Sequence, residues 1–251
     1  MARLSLALTA DGTQVVLRQL LPLNLLSFRL RRSFINGTRI RQLLSPHARI
    51  VYSLERGTRG LIPYEILEYV DGLSLRRLMQ NKDPRLTSDT LAILRQCAEA
   101  LGHVHARGFV HLDVKPENFL VLSDPRVLTV KLTDFDLTRE NTPMKTRRPS
   151  GTAAYLAPEQ IRRGFVGTAA DVFAFGIMAY QLVTGRMPFQ GKHERQLRWR
   201  QASERFVPKP PRSLNPHLSQ KVDAVITKCL EKNPDRRFPS MVHLCDEIGL
   251  G

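Results

Sequence analysis

Eight consecutive residues, His111-Leu112-Asp113-Val114-Lys115-Pro116-Glu117-Asn118, bring together an acid, a lysine two positions on and an amide three further on. These side chains are suited to moving a phosphoryl group. A carboxylate orients an attacking hydroxyl, an ammonium neutralises phosphate charge, and an amide oxygen holds a metal. Asp134-Phe135-Asp136 follows sixteen residues after Asn118, and Ala157-Pro158-Glu159 comes later. Taken singly, these residues read as a turn acid, a surface lysine, a loop amide and a strand-end cap. In this order and at this spacing they argue together.

The surrounding pattern shows which elements must position them. Residues 4–10 and 14–20 read as strands around a turn at Asp11-Gly12-Thr13. Residues 26–44 read as a helix weakened at Asn36-Gly37, and 49–54 and 62–70 as further strands. Residues 88–107 read as a helix with Leu91, Leu94, Cys97, Ala98, Leu101 and His105 on one face, ended by Gly108. Short strands and the eight-residue loop fill 109–132, and helices follow near 170–184, 193–202 and 218–230. The proline-rich stretch 208–216 reads as a packed loop. The expected fold class is α+β, with a small strand-rich lobe over residues 1–70 and a larger helical lobe over 71–251 flanking a shared cleft.

The chain has 251 residues, 42% hydrophobic and 24% charged, as expected of a globular protein rather than a disordered one. No apolar run approaches membrane-span length, and no signal peptide is evident. Cys97, Cys229 and Cys245 are odd in number and widely spaced, which suits buried thiols and a reducing cytoplasm. The cysteines and seven histidines show no zinc spacing. Net charge is +15, and residues 1–60 hold ten arginines, no lysine and two acids. A solvated arginine-rich helix face explains this better than a nucleic-acid surface, because no aromatic interleaving accompanies the charge. Trp199, between Arg198 and Arg200, reads as a partly buried anchor or a cation–π partner.

With these motifs the chain resembles the protein-kinase family, specifically bacterial serine/threonine kinases of the eukaryotic-like type. The resemblance runs over about residues 1–248 and is strongest from Leu91 onward. It implies that Asp113 is the catalytic base and that Lys115 contacts the transferring phosphate. Asn118 and Asp134 match the ligands of Mg2+ (or Mn2+), and the backbone of Glu68 and Val70 matches the hinge that binds the adenine of ATP. Glu159 matches an acid paired with Arg237, and Asp171 a buried acid that accepts loop N–H groups. Thr152, in Gly151-Thr152-Ala153-Ala154-Tyr155, fits serine/threonine specificity, and His111 supports the loop.

The resemblance also exposes departures. The family covers the ATP phosphates with a glycine-rich loop, and this chain carries only what looks like its tail, with Ala2 at the third glycine position and Leu4 at the valine that packs on adenine. The expectation is a start inside a longer reading frame, the alternative a remnant that begins at Met1. Arg18 replaces the strand lysine, and no lysine precedes Lys82. Gly37 or Thr38 falls where a helix glutamate is expected, so the aligning ion pair is expected to be absent. Leu112 replaces the arginine that docks a phosphorylated residue, leaving Thr142, Thr146 and Ser150 without a receptor. Asp136 replaces a glycine in a left-handed turn. Three functions follow: ATP-dependent phosphorylation of serine or threonine in a protein substrate, a pseudokinase scaffold, or a basic nucleic-acid-binding protein on the same fold. The first leads because scaffolding needs no metal ligands beside a base. Oligomeric state is not legible.

Overall fold

The computed structural model describes residues 2–122, 124, 128–142, 145 and 151–248. Two runs rich in leucine and valine, Ala2–Leu8 (β1) and Gln14–Leu20 (β2), pair antiparallel from Ala2 opposite Leu20 to Leu8 opposite Gln14. Asp11 closes the turn between them, accepting from the Thr13 amide at 3.3 Å and hydroxyl at 3.1 Å. Ser53–Arg59 (β3) and Ile62–Glu68 (β4) complete a four-stranded sheet in the order β1-β2-β4-β3. The β2–β4 register sets Arg18 directly opposite Glu65. Residues 49–52, expected as strand, lie before β3. Their backbone is satisfied elsewhere: the Leu132 amide donates to the Arg49 carbonyl at 2.8 Å, and the Val51 amide to the Leu132 carbonyl at 2.9 Å. This ties the strand-rich region to the helical one.

Phe28–Leu44 (α1) begins two residues later than expected, at a cap where Ser27 Oγ accepts from the Leu30 amide. It is unbroken at Asn36-Gly37. Asn36 Nδ2 donates to the Thr138 carbonyl at 2.9 Å, so tertiary contact outweighs weak propensity. Phe34, Gly37, Thr38, Ile40, Arg41 and Leu44 are buried at a helical spacing that places them on one face.

The chain then forms Gly72–Ser74 (β5), Leu75–Asn81 (α2), Arg85–Ser88 (α3) and Thr90–Ala106 (α4). On α4 the expected apolar face is buried except Leu91, which lies in the first turn and is half exposed. Phe109–Val110 (β6), Phe119–Leu122 (β7), Val130–Leu132 (β8) and Arg139–Glu140 (β9) are short strands around the functional loops. Pro158–Ile161 (α5), Thr168–Thr184 (α6), Glu194–Ala202 (α7), Gln220–Cys229 (α8) and Met241–Ile248 (α9) complete the helical region. α6 is apolar around most of its circumference and is buried accordingly, with Val172, Phe173, Ile177 and Met178 at 0% exposure. α2 and α9 were not foreseen; α9 buries Met241 and Leu244 and packs against α4.

The result is a two-lobed α+β fold with a sheet at the N-terminal side and helices after it. The 208–216 stretch is a packed loop, held by buried Pro211 and by Asn215 Nδ2 donating to the Val183 carbonyl at 2.9 Å. Trp199 is half exposed rather than an anchor, and the cation–π contact nearby belongs to Arg200 over Phe206. Cys97 and Cys229 are buried as expected, and Cys245 only partly. Among the described residues, no helix is long and apolar enough to cross a membrane.

Candidate active site

Asp171, in the first turn of α6, fixes the loop that holds Asp113. Its carboxylate accepts from the His111 amide at 2.7 Å, the Leu112 amide at 2.8 Å and His105 Nε2 at 2.9 Å. His105 Nδ1 accepts from the Met241 amide at 3.0 Å, which leaves the ring proton on Nε2 for Asp171. His105 is thus a link between α4, α6 and α9 as well as a core residue. Burial alone would raise the Asp171 pKa, but these hydrogen bonds outweigh it and hold the carboxyl below its usual 3.8. Leu112 sits in left-handed backbone at φ 64°, a conformation that costs a non-glycine residue about 1–3 kcal/mol. The Asp171 hydrogen bonds to this segment offset that strain. His111 is fully buried, stands edge-on to Phe135 at 5.3 Å, and its Nδ1 accepts from the Asp113 amide at 3.3 Å.

Three of the sequence-derived side chains meet around Asp113. Lys115 Nζ lies 2.6 Å from Asp113 Oδ2 and 3.1 Å from Thr152 Oγ1. Thr152 Oγ1 lies 3.2 Å from Asp113 Oδ1. Asn118 Nδ2 donates to the Asp113 carbonyl at 2.8 Å and reaches Oδ2 at 3.3 Å, which turns the Asn118 amide oxygen away from Asp113. Gly151 closes the group: at φ 114° it passes so near the loop that a Cβ would lie 2.9 Å from the Leu112 carbonyl oxygen.

These residues line one side of a cavity of about 990 Å3 between the sheet and the helical region. Leu4, Val16, Leu67, Tyr69, Val70 and Leu120 are among its apolar lining residues, and Glu68, Asp113, Lys115, Asn118, Asp134 and Asp136 among its polar ones. That volume and mixed lining are of a size and character that suit a nucleotide. Leu4 stands at the open mouth and is mostly exposed. The Glu68 amide donates to the Tyr52 carbonyl at 3.2 Å, and its carboxylate binds Lys131 Nζ at 2.6 Å. The Glu68 amide, expected to face adenine, is therefore already engaged. Among the described residues no cluster of three or more His, Cys, Asp or Glu forms a metal cage. The Asn118 amide oxygen and the Asp134 carboxylate, both on the cavity lining, are hard oxygen donors of the kind that would hold a magnesium ion.

Arg18 has no acidic partner on α1 and finds two elsewhere. Arg18 is buried and carries two carboxylate partners, Asp136 at 2.5 Å and Glu65 at 3.4 Å. Its guanidinium stacks over Phe34, 4.3 Å from the ring centroid. Burial alone would weaken its charge, but Asp136 and Glu65 hold it more firmly protonated than usual. Glu65, fully buried, is shared with Arg41 Nε at 3.1 Å. Arg41 is anchored in turn by the Val51 carbonyl at 3.0 Å and Thr133 Oγ1 at 3.3 Å. Burial lowers the Arg41 pKa, with Glu65 opposing. Two cations and two anions thus form one buried group, and removing a single member of such a group costs about 3–5 kcal/mol. Neither Glu65 nor Arg41 was foreseen. An arginine on the apolar face of α1 was the available signal for Arg41.

Asp136 also departs from expectation in its backbone. The left-handed residue of this loop is Asp134, at φ 61°, and Asp136 is not left-handed. Its carboxyl is pushed above the usual range by burial, with Arg18 opposing and Asp134 adding to the shift. Glu159 and Arg237 pair as expected through two parallel hydrogen bonds at 2.8 and 2.9 Å. Arg237 also donates to the Glu231 and Ala169 carbonyls, both at 2.7 Å, which binds α5, α6 and the segment before α9 together. Of the candidate modification sites, Thr142 is described; Thr146 and Ser150 lie outside the described residues.

The protein kinase domain family matches residues 27–247. The match leaves β1 and β2, with Arg18, outside it. The chain is similar to the serine/threonine-protein kinase PknB of Mycobacterium tuberculosis, 33% identical over 190 residues that cover 74% of this chain and 30% of that protein. A probable serine/threonine-protein kinase of Clostridium acetobutylicum is 30% identical over 205 residues, covering 80% of this chain and 30% of its own length. One from Clostridium perfringens is 29% identical over 221 residues, 87% and 31% respectively. The matched region thus spans about a third of the length of these curated relatives. With most of its length matched and the buried ion pairs and loop contacts in place, the chain belongs to the protein kinase family.

Proposed function

We propose that this chain transfers the terminal phosphate of ATP to serine or threonine hydroxyls of a protein substrate. The observation that carries this reading is the convergence of Asp113, Lys115 and Thr152 within hydrogen-bond distance of one another, with Asn118 and Asp134 on the same cavity wall. Asp113 accepts the proton of the attacking hydroxyl and orients it. Lys115, 2.6 Å from Asp113 Oδ2, holds charge on the group in flight. Thr152 fixes the rotamer of Asp113. Asn118 and Asp134 would hold magnesium or manganese, which would supply charge neutralisation at the phosphates. The Glu68 carbonyl and Val70 backbone receive the purine beneath Leu4, and Arg18 faces the phosphates. The lobe boundary falls near residue 70. Three free cysteines fit the reducing cytoplasm.

A second reading is a pseudokinase scaffold. It is favoured by one observation: both terminal nitrogens of Arg18 are already engaged by carboxylates. Incubating the chain with magnesium ATP and a serine/threonine peptide library, followed by mass spectrometry, separates the two. Phosphate on serine or threonine supports transfer. Nucleotide binding without phosphorylated product supports the scaffold.

A further inference from the structure

Gly37 and Asp136 occupy each other's space. The Asp136 carboxylate rests against the backbone of α1 at Gly37, where a Cβ would lie 2.5 Å from Asp136 Oδ1 and 3.0 Å from its Cα. No side chain fits at position 37 while Asp136 stays where it is. Ser33 Oγ donates to the Asp136 carbonyl at 2.6 Å, one helical turn from Gly37, and closes the contact. The other carboxylate oxygen of Asp136 meets Arg18 at 2.5 Å. Asp136 therefore puts a negative charge on Arg18 from beneath α1, where the helix has none of its own.

Arg18 is confined on three sides. Asp136 and Glu65 each hold one terminal nitrogen, and Phe34 covers one face of the guanidinium plane. A guanidinium has five N–H donors in a rigid fork, so two engaged nitrogens still leave N–H groups for a ligand. Arg18 lines the cavity that also holds Asp134 and Asn118. We infer that Asp136 is a positioning residue for Arg18, that it does the work of a helix carboxylate, and that Gly37, Arg18 and Asp136 are one compensated exchange rather than three separate losses. The inference rests on reading the cavity as a nucleotide site. It makes the register of α1 and the placement of Arg18 depend on a single loop residue.

The test is titration calorimetry of the full chain with magnesium ADP and, in parallel, with adenosine. Asp136→Asn keeps the shape and removes the charge. It is expected to weaken magnesium ADP binding by at least about tenfold while leaving adenosine affinity within about twofold, because only the phosphates need Arg18 in place. A general loss of structure would weaken both ligands alike. Gly37→Glu alone is expected to abolish magnesium ADP binding through its clash with Asp136. The triple variant Arg18→Lys/Gly37→Glu/Asp136→Gly is expected to regain affinity well above that of Asp136→Gly. Unchanged or tighter magnesium ADP binding by Asp136→Asn overturns the positioning role, since a carboxylate that merely neutralised Arg18 would free it on removal. A triple variant no better than Asp136→Gly overturns the exchange. Absence of binding by the unsubstituted chain overturns the nucleotide reading and this inference together, whereas loss of the Asp136 effect alone leaves the former standing.

Discussion

Asn118 donates its side-chain amide to the main-chain carbonyl of Asp113 at 2.8 Å, and this one contact decides which end of the amide faces the cavity. The nitrogen is spent on the loop, which leaves the amide oxygen for other partners in the cavity that Asp134 also lines. Asn118→Ala removes both the oxygen and the brace on Asp113. Loss of about a hundredfold or more in phosphotransfer is expected, together with a raised magnesium requirement, read from initial rates at varied metal. Asn118→Asp keeps an oxygen but repels Asp113, and is expected to fall between.

Arg237 and Glu159 predict a stability effect separate from chemistry. Their bidentate pair is almost fully buried, and Arg237 also ties down three carbonyls. Arg237→Ala leaves Glu159 buried without a counter-charge and is expected to cost about 3–5 kcal/mol in urea unfolding. Arg237→Lys reaches with one ammonium instead of a planar fork and restores little.

Asp171 gives a pH dependence with a definite sign. The unfolded carboxyl titrates near 3.8 and the folded one below it. Its stabilisation is therefore complete above about 3.8 and is lost as pH falls through the folded value. Asp171→Asn is expected to lower stability at neutral pH and to flatten the acid limb of a denaturation series. The same variant cannot accept from both loop amides and His105 equally, so activity is expected to fall with it.

Gly151 predicts a variant that loses activity more than stability. Its φ of 114° and its approach to the Leu112 carbonyl leave no room for a methyl group. Gly151→Ala is expected to displace Thr152 from Asp113, with a stability change of about 1–3 kcal/mol by thermal melting and a larger fractional loss of transfer rate.

The thiols are predicted to be poor nucleophiles. Burial pushes the Cys97 thiol well above its ordinary value, Cys229 up to about 12 and Cys245 up to about 11. Iodoacetamide at pH 8 is expected to label Cys245 first and slowly, and to spare Cys97 and Cys229 until the chain unfolds.

Legibility followed separation along the chain. Asp113, Lys115 and Asn118 share one loop, so their spacing suggested a chemistry, whereas the roles of Asp134, Glu159 and Asp171 came from the family resemblance. Arg18 was found by its strand, but its partners were not. Glu65 meets it through β2–β4 register, and Asp136 through a turn that packs under α1; neither pairing leaves a mark in local sequence. Gly37 read as a missing glutamate and a weak point in a helix, whereas the structure makes it the space into which Asp136 fits. Arg41 escaped notice because an arginine on a helix in a basic region reads as solvated, and only the fold shows it sealed against Glu65 and Phe135. β3 was misplaced because residues 49–51 have strand-like composition but spend their backbone groups on Leu132.

Transfer of labelled phosphate from ATP, measured side by side for the unsubstituted chain and Asp113→Asn with magnesium or manganese, tests the central claim most directly. The account predicts incorporation on serine or threonine that Asp113→Asn reduces to background. Equal incorporation by Asp113→Asn, or none by the unsubstituted chain, would contradict it.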